Sequence, residues 1–538
     1  MPADGGRPVP AAAPGAADGD DRSLVRAGGS VAVATVVSRL TGFLRTVALV
    51  ATIGLSLVNS AYTVANTLPV SVYQLLLGGV LSSVVVPVLV RAAQEDADGG
   101  DGFARLLLSV GAVGLAAATV LATAGAPVLV RLYLSAGERS DPELAVAFAY
   151  LLLPQVLGYG MGALFGAMLN TRGVFGPAAW APVVNNVVVL AALAVYWLLP
   201  PASGTGTGIG MVHLLVLGLG TTAGVVAQAL VLVVALRRTG FRWRWRWAWD
   251  RRLSAFAGSA AWVLAYVLVG QVGLAVTNRV ASAADESAVA IYANAWLLLQ
   301  VPYGVLGVSL LTVLMPRMSA AAAAGRVDRV VDDLAWGTRL SMVTLLPVAA
   351  GLTAFGPAVG VALFSFGRSG VEAATVLGET VAASAFGLLP LAVTMLQLRV
   401  FYALDDARTP TLIMLAMTAF RVPAALAVPA VLPADRVVLG LAAVNAAAFG
   451  VGAVVGGVWL RVRLGPLRSG ATAGVVVRAA VSAALAVAAA LAVTGLFGPA
   501  GPALTAWRTL ALAGVVGVAV YLAGLRVLRV PVTRPYAR

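Results

Sequence analysis

Apolar stretches long enough to cross a bilayer follow one another almost without pause from about residue 31 to about residue 528. About 20 apolar residues bridge the ~30 Å hydrocarbon layer as a helix. Inside lipid every backbone N–H and C=O must find its partner within the protein, which makes such stretches helices. Fourteen of them can be counted, the ninth and tenth being the most interrupted, with Pro347 and Pro357 falling in and beside the ninth. The expected fold is therefore an all-α polytopic membrane protein with about 14 transmembrane helices. With 60% hydrophobic and 11% charged residues and a mean hydropathy of +0.94, soluble globular architectures are excluded. Residues 1–27 are rich in Pro, Ala, Gly and Asp with no apolar run, and are expected to form a disordered tail rather than a secretory signal. The absence of cysteine and the single His213 exclude disulfides, thiolate metal sites and histidine clusters. No nucleophile–base constellation, phosphate-binding loop or acid pair suggests an enzyme or a cofactor, so any work must draw on a coupling cation or the membrane potential.

The net charge is +14, and all 36 basic residues are arginines. An even span count puts both termini on one side. If that side is cytoplasmic, it holds roughly four arginines for each one opposite, which is the bias of a plasma-membrane protein with inward-facing basic loops. Arg279 and Arg421 are among the few assigned to the opposite side. The charge is thus accounted for by loop bias and anionic lipid, and no nucleic-acid partner is called for. The densest basic loop contains Arg-Trp-Arg-Trp-Arg-Trp-Ala-Trp at 242–249, a pattern suited to the headgroup layer. It divides the chain: residues 28–237 carry spans one to six, 238–252 the basic linker, 253–463 spans seven to twelve, and 464–538 the last two spans with a C-terminal tail. The two sets of six share motifs. Gly78 to Pro87 in span two has the Gly-to-Pro distance of Gly307 to Pro316 in span eight, and Asn170-Thr171-Arg172 through Pro177 matches Asp405-Asp406-Ala407-Arg408-Thr409-Pro410. Internal repeats of this kind mark transporters whose central cavity opens by rocking of two lobes.

Span one carries two arginines, in Ser38-Arg39-Leu40-Thr41-Gly42-Phe43-Leu44-Arg45. A charge near the bilayer centre costs at least ~2.5 kcal/mol and usually faces a protein-lined or aqueous cavity. Arg39 lies near enough to the edge to snorkel, whereas Arg45 is too deep for that. Six residues turn a helix by about 240°, so the two heads flank a space, with Gly42 between them permitting close packing or a bend. The simplest guest is an anion. Asn66, Gln74, Gln155, Asn185, Asn186, Gln271, Asn278, Asn294 and Gln300 are further candidates for the same cavity. Polar side chains also tie transmembrane helices together at about 0.6 kcal/mol each, and that role competes at every one of these positions. Asn66 is the foremost, because its span follows the arginines. Arg279 reads as snorkelling, His213 as an incidental residue near an outer edge, and Asp405 and Asp406 as turn residues.

These motifs, with Leu68-Pro69, Val84-Val85-Val86-Pro87, Val305-Leu306-Gly307, Met315-Pro316 and Phe401-Tyr402-Ala403, resemble the MurJ (MviN) family, the lipid II flippases of the multidrug/oligosaccharidyl-lipid/polysaccharide exporter superfamily. The resemblance covers roughly residues 30–530. It implies two six-helix lobes around an inward-facing cavity, and a groove from the last two helices for a polyprenyl tail. It also implies movement of undecaprenyl-pyrophosphate-linked disaccharide-pentapeptide to the outer leaflet. Carried over onto this sequence, the substrate-binding positions are Arg39 and Arg45, which would hold the pyrophosphate. Asn66 joins them from the reading of the residues, with Ser38, Gly42, Gln74, Gln271 and Asn278 as weaker members. The chain departs from the pattern at Ser60, where many members carry an acid, at Tyr73 and Gln74, where they carry arginines, and at Leu297, a frequent cavity arginine. The alternatives are another polyprenyl-linked glycan or amphiphile as cargo, or a non-transporting scaffold for cell-wall proteins.

Overall fold

The computed structural model describes residues 16–77, 85–135, 141–200, 209–248, 250, 257–404, 406–497 and 502–530. Residues 78–84 of the first repeat motif, Asp405, and Arg251 and Arg252 of the basic loop lie outside these. The protein is a multi-pass helical membrane protein. Among the described residues, thirteen helical stretches are long and apolar enough to cross, from Val33–Ile53 to Pro502–Val527. The fourteenth is span two, Leu57–Leu77, 21 residues long. Asn59, Ser60, Thr63, Asn66, Thr67, Ser71 and Gln74 all lie on it.

Span one is the end of a longer helix, Ala16–Ile53. Twelve residues expected to be disordered tail are therefore helical. Ala16, Ala17, Leu24 and Arg26 are good helix formers, and Asp18, Asp20 and Asp21 suit a helix N-terminus, where the macrodipole is positive. Span nine is a 38-residue helix, Val327–Phe364, kinked at Phe355 (φ −116°, ψ 15°) two residues before Pro357. That proline lacks an N–H and crowds the preceding turn.

The repeat is visible in the breaks. Span four consists of Pro142–Leu152 and Gln155–Thr171, parted at Pro154. Span ten consists of Val371–Ser384 and Leu388–Ala403, joined by a 3-10 turn, Ala385–Gly387, just before Pro390. Both are the fourth span of their set. Core clusters give the lobe arrangement. At the end where odd-numbered spans start, here the near end, one cluster is built from spans two to six, with Leu108, Leu164, Phe165 and Leu236. A separate one there is built from spans eight to twelve, with Leu314, Leu396, Phe401 and Leu460. At the opposite, far end a single cluster draws on both lobes, from Val50, Leu68 and Phe148 to Leu298, Phe364 and Leu441. The lobes thus share one core at the far end and keep separate cores at the near end. Close approach needs small residues: a Cβ on Gly378 of span ten would strike the Gly356 carbonyl of span nine.

The Arg-Trp segment is an extended strap on span three. Arg105 Nε donates to the Arg242 carbonyl (3.2 Å), and Ser109 Oγ accepts from the Arg246 amide (3.1 Å). Trp245 and Trp247 are left exposed.

Candidate functional site

Arg45 lies 12 residues in from Val33, roughly 18 Å deep at 1.5 Å per residue. Its half-buried side chain lines a cavity of about 160 Å³ between the lobes, with Asn59, Tyr62 and Asn66 of span two on one side and Asn294 and Leu297 of span eight on the other. Arg45 and Asn66 are therefore brought together, and Leu297 forms an uncharged part of the wall. The wall is fixed by local bonds: Asn59 Nδ2 donates to the Gly54 carbonyl (2.6 Å), and the Tyr62 and Thr221 hydroxyls bond at 2.9 Å. Among the described residues no carboxylate is within salt-bridge reach of Arg39 or Arg45. Amides and hydroxyls solvate a guanidinium without neutralising it, so the wall leaves the Arg45 charge uncompensated.

Arg39 points elsewhere, as the 240° rotation requires. It is exposed, and its guanidinium crosses to the second lobe and packs on Gly304 of span eight, where any Cβ would collide with it. Gly304 sits in a π-turn, Tyr303–Gly307, directly after Pro302. A π-turn widens the helix locally and is common at functional positions.

The weaker candidates divide. Gln271 Oε1 accepts from the Ser71 and Tyr133 hydroxyls, each at 3.0 Å, and Gln271 Nε2 donates to Gln74 Oε1 (3.2 Å), which makes Gln74 and Gln271 a polar bridge between the lobes. Ser38 and Gly42 face span five: Asn186 Nδ2 donates to the Ser38 carbonyl (3.2 Å) and lies against Gly42. Theirs is packing within the first lobe. Asn278 is buried in span seven away from the Arg45 cavity. Asn185 and Gln155 bond within the first lobe, to Gln228 (3.1 Å) and Thr222 (3.1 Å). Asp406 caps span eleven, accepting from the Thr409 amide (3.0 Å) and hydroxyl (2.7 Å) and from Arg463. Partial burial alone would raise its pKa, but these bonds together hold it below the usual carboxylate value.

Sequence reasoning missed three arginines. Arg421, assigned to the outer side, is 13 residues into Arg408–Val431 and near its middle. It donates to Asn445 Oδ1 (3.0 Å) and the Gly270 carbonyl (3.3 Å), tying spans seven, eleven and twelve. Its depth in the span was the available signal. Arg279 does more than snorkel, since its guanidinium donates to the Arg131 carbonyl of the other lobe (2.8 Å). Arg368 follows span nine and docks on the end of span one. Its amide donates to the Ala51 carbonyl (2.9 Å), and next to it Ser369 Oγ donates to the Val50 carbonyl (3.2 Å). His213, expected to be incidental, is buried with its ring 4.7 Å from that of Tyr196.

A second cavity, about 370 Å³ and almost wholly apolar, runs between spans nine, thirteen and fourteen. Pro347 and Gly351 on one wall and Gly514 and Gly517 on another keep it open, and Tyr521 at its edge donates to the Val343 carbonyl (2.6 Å).

The family model described as "Lipid II flippase MurJ" matches residues 49–511. The chain belongs to the MurJ family. Among its MurJ relatives, a probable lipid II flippase MurJ of Rhizobium meliloti (strain 1021) is 28% identical over 393 residues, covering 72% of each chain. The lipid II flippase MurJ of Burkholderia cenocepacia is 27% identical over 392 residues, covering 72% of this chain and 75% of its own. A solved structure described as lipid II flippase MurJ in an inward closed conformation superposes with a TM-score of 0.73 at 17% identity, over 92% of this chain and 98% of that one. An inward-facing multidrug resistance MATE family transporter of the MOP superfamily gives 0.56 at 16% identity, over 83% of this chain and 95% of its own. At those identities the structures speak for the fold of this MurJ-family chain alone.

Proposed function

We propose that this protein carries lipid II from the inner to the outer leaflet of the bacterial plasma membrane, with both termini and the near end cytoplasmic. The observation that carries this reading is Arg45, a guanidinium at mid-depth without a carboxylate, in a cavity whose walls come from both lobes. Arg39 and Arg45 hold the pyrophosphate, for which guanidinium forks are geometrically suited, and Asn66 supplies an amide beside it. The apolar groove of spans nine, thirteen and fourteen takes the polyprenyl tail, which never has to leave hydrocarbon. Separate near-end cores and a shared far-end core make the cavity accessible from the cytoplasmic leaflet first. Membrane lipids press on the Arg-Trp strap.

The test is depletion of the protein in its own host, scoring lipid II on the outer leaflet, with rescue by wild type, Arg39→Ala and Arg45→Ala. Rescue by wild type alone is expected, with all three proteins in the membrane; full rescue by both variants refutes the arginine mechanism. Because Leu297 leaves the cavity less charged, a polyprenyl diphosphate bearing another glycan is the second reading. Undiminished outward lipid II on depletion would favour it.

A further inference from the structure

A third cavity, about 440 Å³, lies at the far end where the lobes meet, and its volume is in the range of small-molecule sites. Spans seven and eleven supply apolar walls through Val280, Leu426 and Pro429, and Ser135 of the first lobe closes one side. Among the described residues that line it, Arg279 alone is charged. One guanidinium N–H is held by the Arg131 carbonyl, in the last turn of the first-lobe helix Ala126–Tyr133. The Arg279 side chain is otherwise exposed, and among the described residues no carboxylate is in salt-bridge reach of it. A guanidinium has five donors, so several are left for another acceptor. Val437, the first residue of span twelve, also lines the cavity, and that 28-residue helix has no side-chain cap at its start. The positive end of its dipole therefore adds to the arginine.

Depth identifies what the cavity meets. Span seven has 28 residues, roughly 42 Å at 1.5 Å per residue, which matches a bilayer with its headgroups. Arg279 is five residues from its end at Ala284, and Leu426 five from the end of span eleven at Val431. Both are then roughly 7.5 Å in, close to the boundary between headgroups and hydrocarbon. Ala283, Leu426 and Pro429 are exposed, so the cavity opens to the surrounding bilayer at that level.

We propose that this cavity binds the headgroup and upper acyl chain of an anionic phospholipid. Arg279 takes the phosphate oxygens with its free donors, the start of span twelve adds positive potential, and Val280, Leu426 and Pro429 take the chain. The site shares no residue with the Arg45 cavity and does not depend on what the cargo is. Ser135 and the Arg131 carbonyl belong to one lobe and the other walls to the second, so a bound lipid must shift when the far end opens.

The test uses full-length protein with Ala283→Cys, the chain having no other cysteine, labelled with bimane in phosphatidylcholine nanodiscs. Part of the lipid is exchanged for phosphatidylglycerol or phosphatidylcholine with brominated acyl chains, and the quenching gives the affinity of one relative to the other. Phosphatidylglycerol should be preferred about ten-fold. Arg279→Gln should bring that ratio close to one, and Arg279→Lys should restore most of it. Ala434→Phe, which fills the cavity and leaves the Arg279–Arg131 bond in place, should abolish the preference too, and it decides alone should Arg279→Gln not fold. The inference is overturned if phosphatidylglycerol is not preferred, or if the preference survives Arg279→Gln or Ala434→Phe. A polyprenyl diphosphate arriving at the far side would offer the same phosphate chemistry. If farnesyl diphosphate relieves the quenching at a tenth or less of the concentration that unbrominated phosphatidylglycerol requires, the occupant is cargo and the phospholipid assignment falls.

Discussion

Transport by rocking lobes requires the far end to open, and the structure indicates what must break. The loop after span nine reaches onto the last turn of span one through two hydrogen bonds, Arg368 N to Ala51 O and Ser369 Oγ to Val50 O. Gly367, with φ 68°, lies so close that a Cβ would strike the Ala51 carbonyl. Ser369→Ala removes one bond, about 1 kcal/mol, and should shift the balance toward the far-open state about five-fold. Gly367→Ala pushes the loop off and removes both bonds, about 2 kcal/mol, for a shift of about 30-fold. Backbone strain at this φ is common to both states and drops out of the difference. The chain has no cysteine, so a single Leu297→Cys in the Arg45 cavity reports cleanly. Its labelling rate by an impermeant maleimide from the far side should rise in the order wild type, Ser369→Ala, Gly367→Ala. Equal rates in all three would show that this loop does not hold the far end shut.

Gly304→Leu should displace the Arg39 guanidinium and cut flipping at least ten-fold with the melting temperature nearly unchanged; unaltered flipping would remove Arg39 from the pathway. A bulky ring in the apolar groove, Gly514→Trp, should raise the apparent KM for long-chain polyprenyl substrates more than for short-chain ones, and an equal effect on both would argue against tail binding there. Gly378→Val drives a side chain into the Gly356 backbone and should destabilise the protein by about 3 kcal/mol, the upper range for overpacking, read as a lowered melting temperature. Asp406 has a depressed pKa, so its bonds stabilise above the unfolded value of about 4 and are lost as pH falls through the folded value. The melting-temperature gap between wild type and Asp406→Asn should be full at pH 7 and close below about pH 4. A gap independent of pH would refute this.

Helix count and lobe plan were legible in the sequence because hydropathy and arginine bias report on the solvent, which acts on each segment separately. Azimuth was legible too: the 240° between Arg39 and Arg45 sends them to different partners, Gly304 and the Asn66 cavity. The identity of the neighbour was not. Ser38 and Gly42 sit in the same motif as the arginines yet serve Asn186, and Gln74 and Gln271, read separately, turn out to bond each other. Helical periodicity gives depth and direction for a side chain but not the helix that stands there. Arg421 was misplaced because a guanidinium paired with an amide and a carbonyl looks, in sequence, like one seeking water.

Span two has a bearing on how the protein is made. Its described helix carries Asn59, Ser60, Thr63, Asn66, Thr67, Ser71 and Gln74, and Asn59, Thr63, Asn66 and Thr67 belong to the cavity. Amides and hydroxyls at that depth are costly in lipid until they find partners, so this helix gains most once spans that can solvate it are in place, among them span eight, more than two hundred residues later. Integration of span two into the bilayer and assembly of the transport path are then one event. Variants that add polarity to this helix should fail first during synthesis, as chains that never finish entering the membrane.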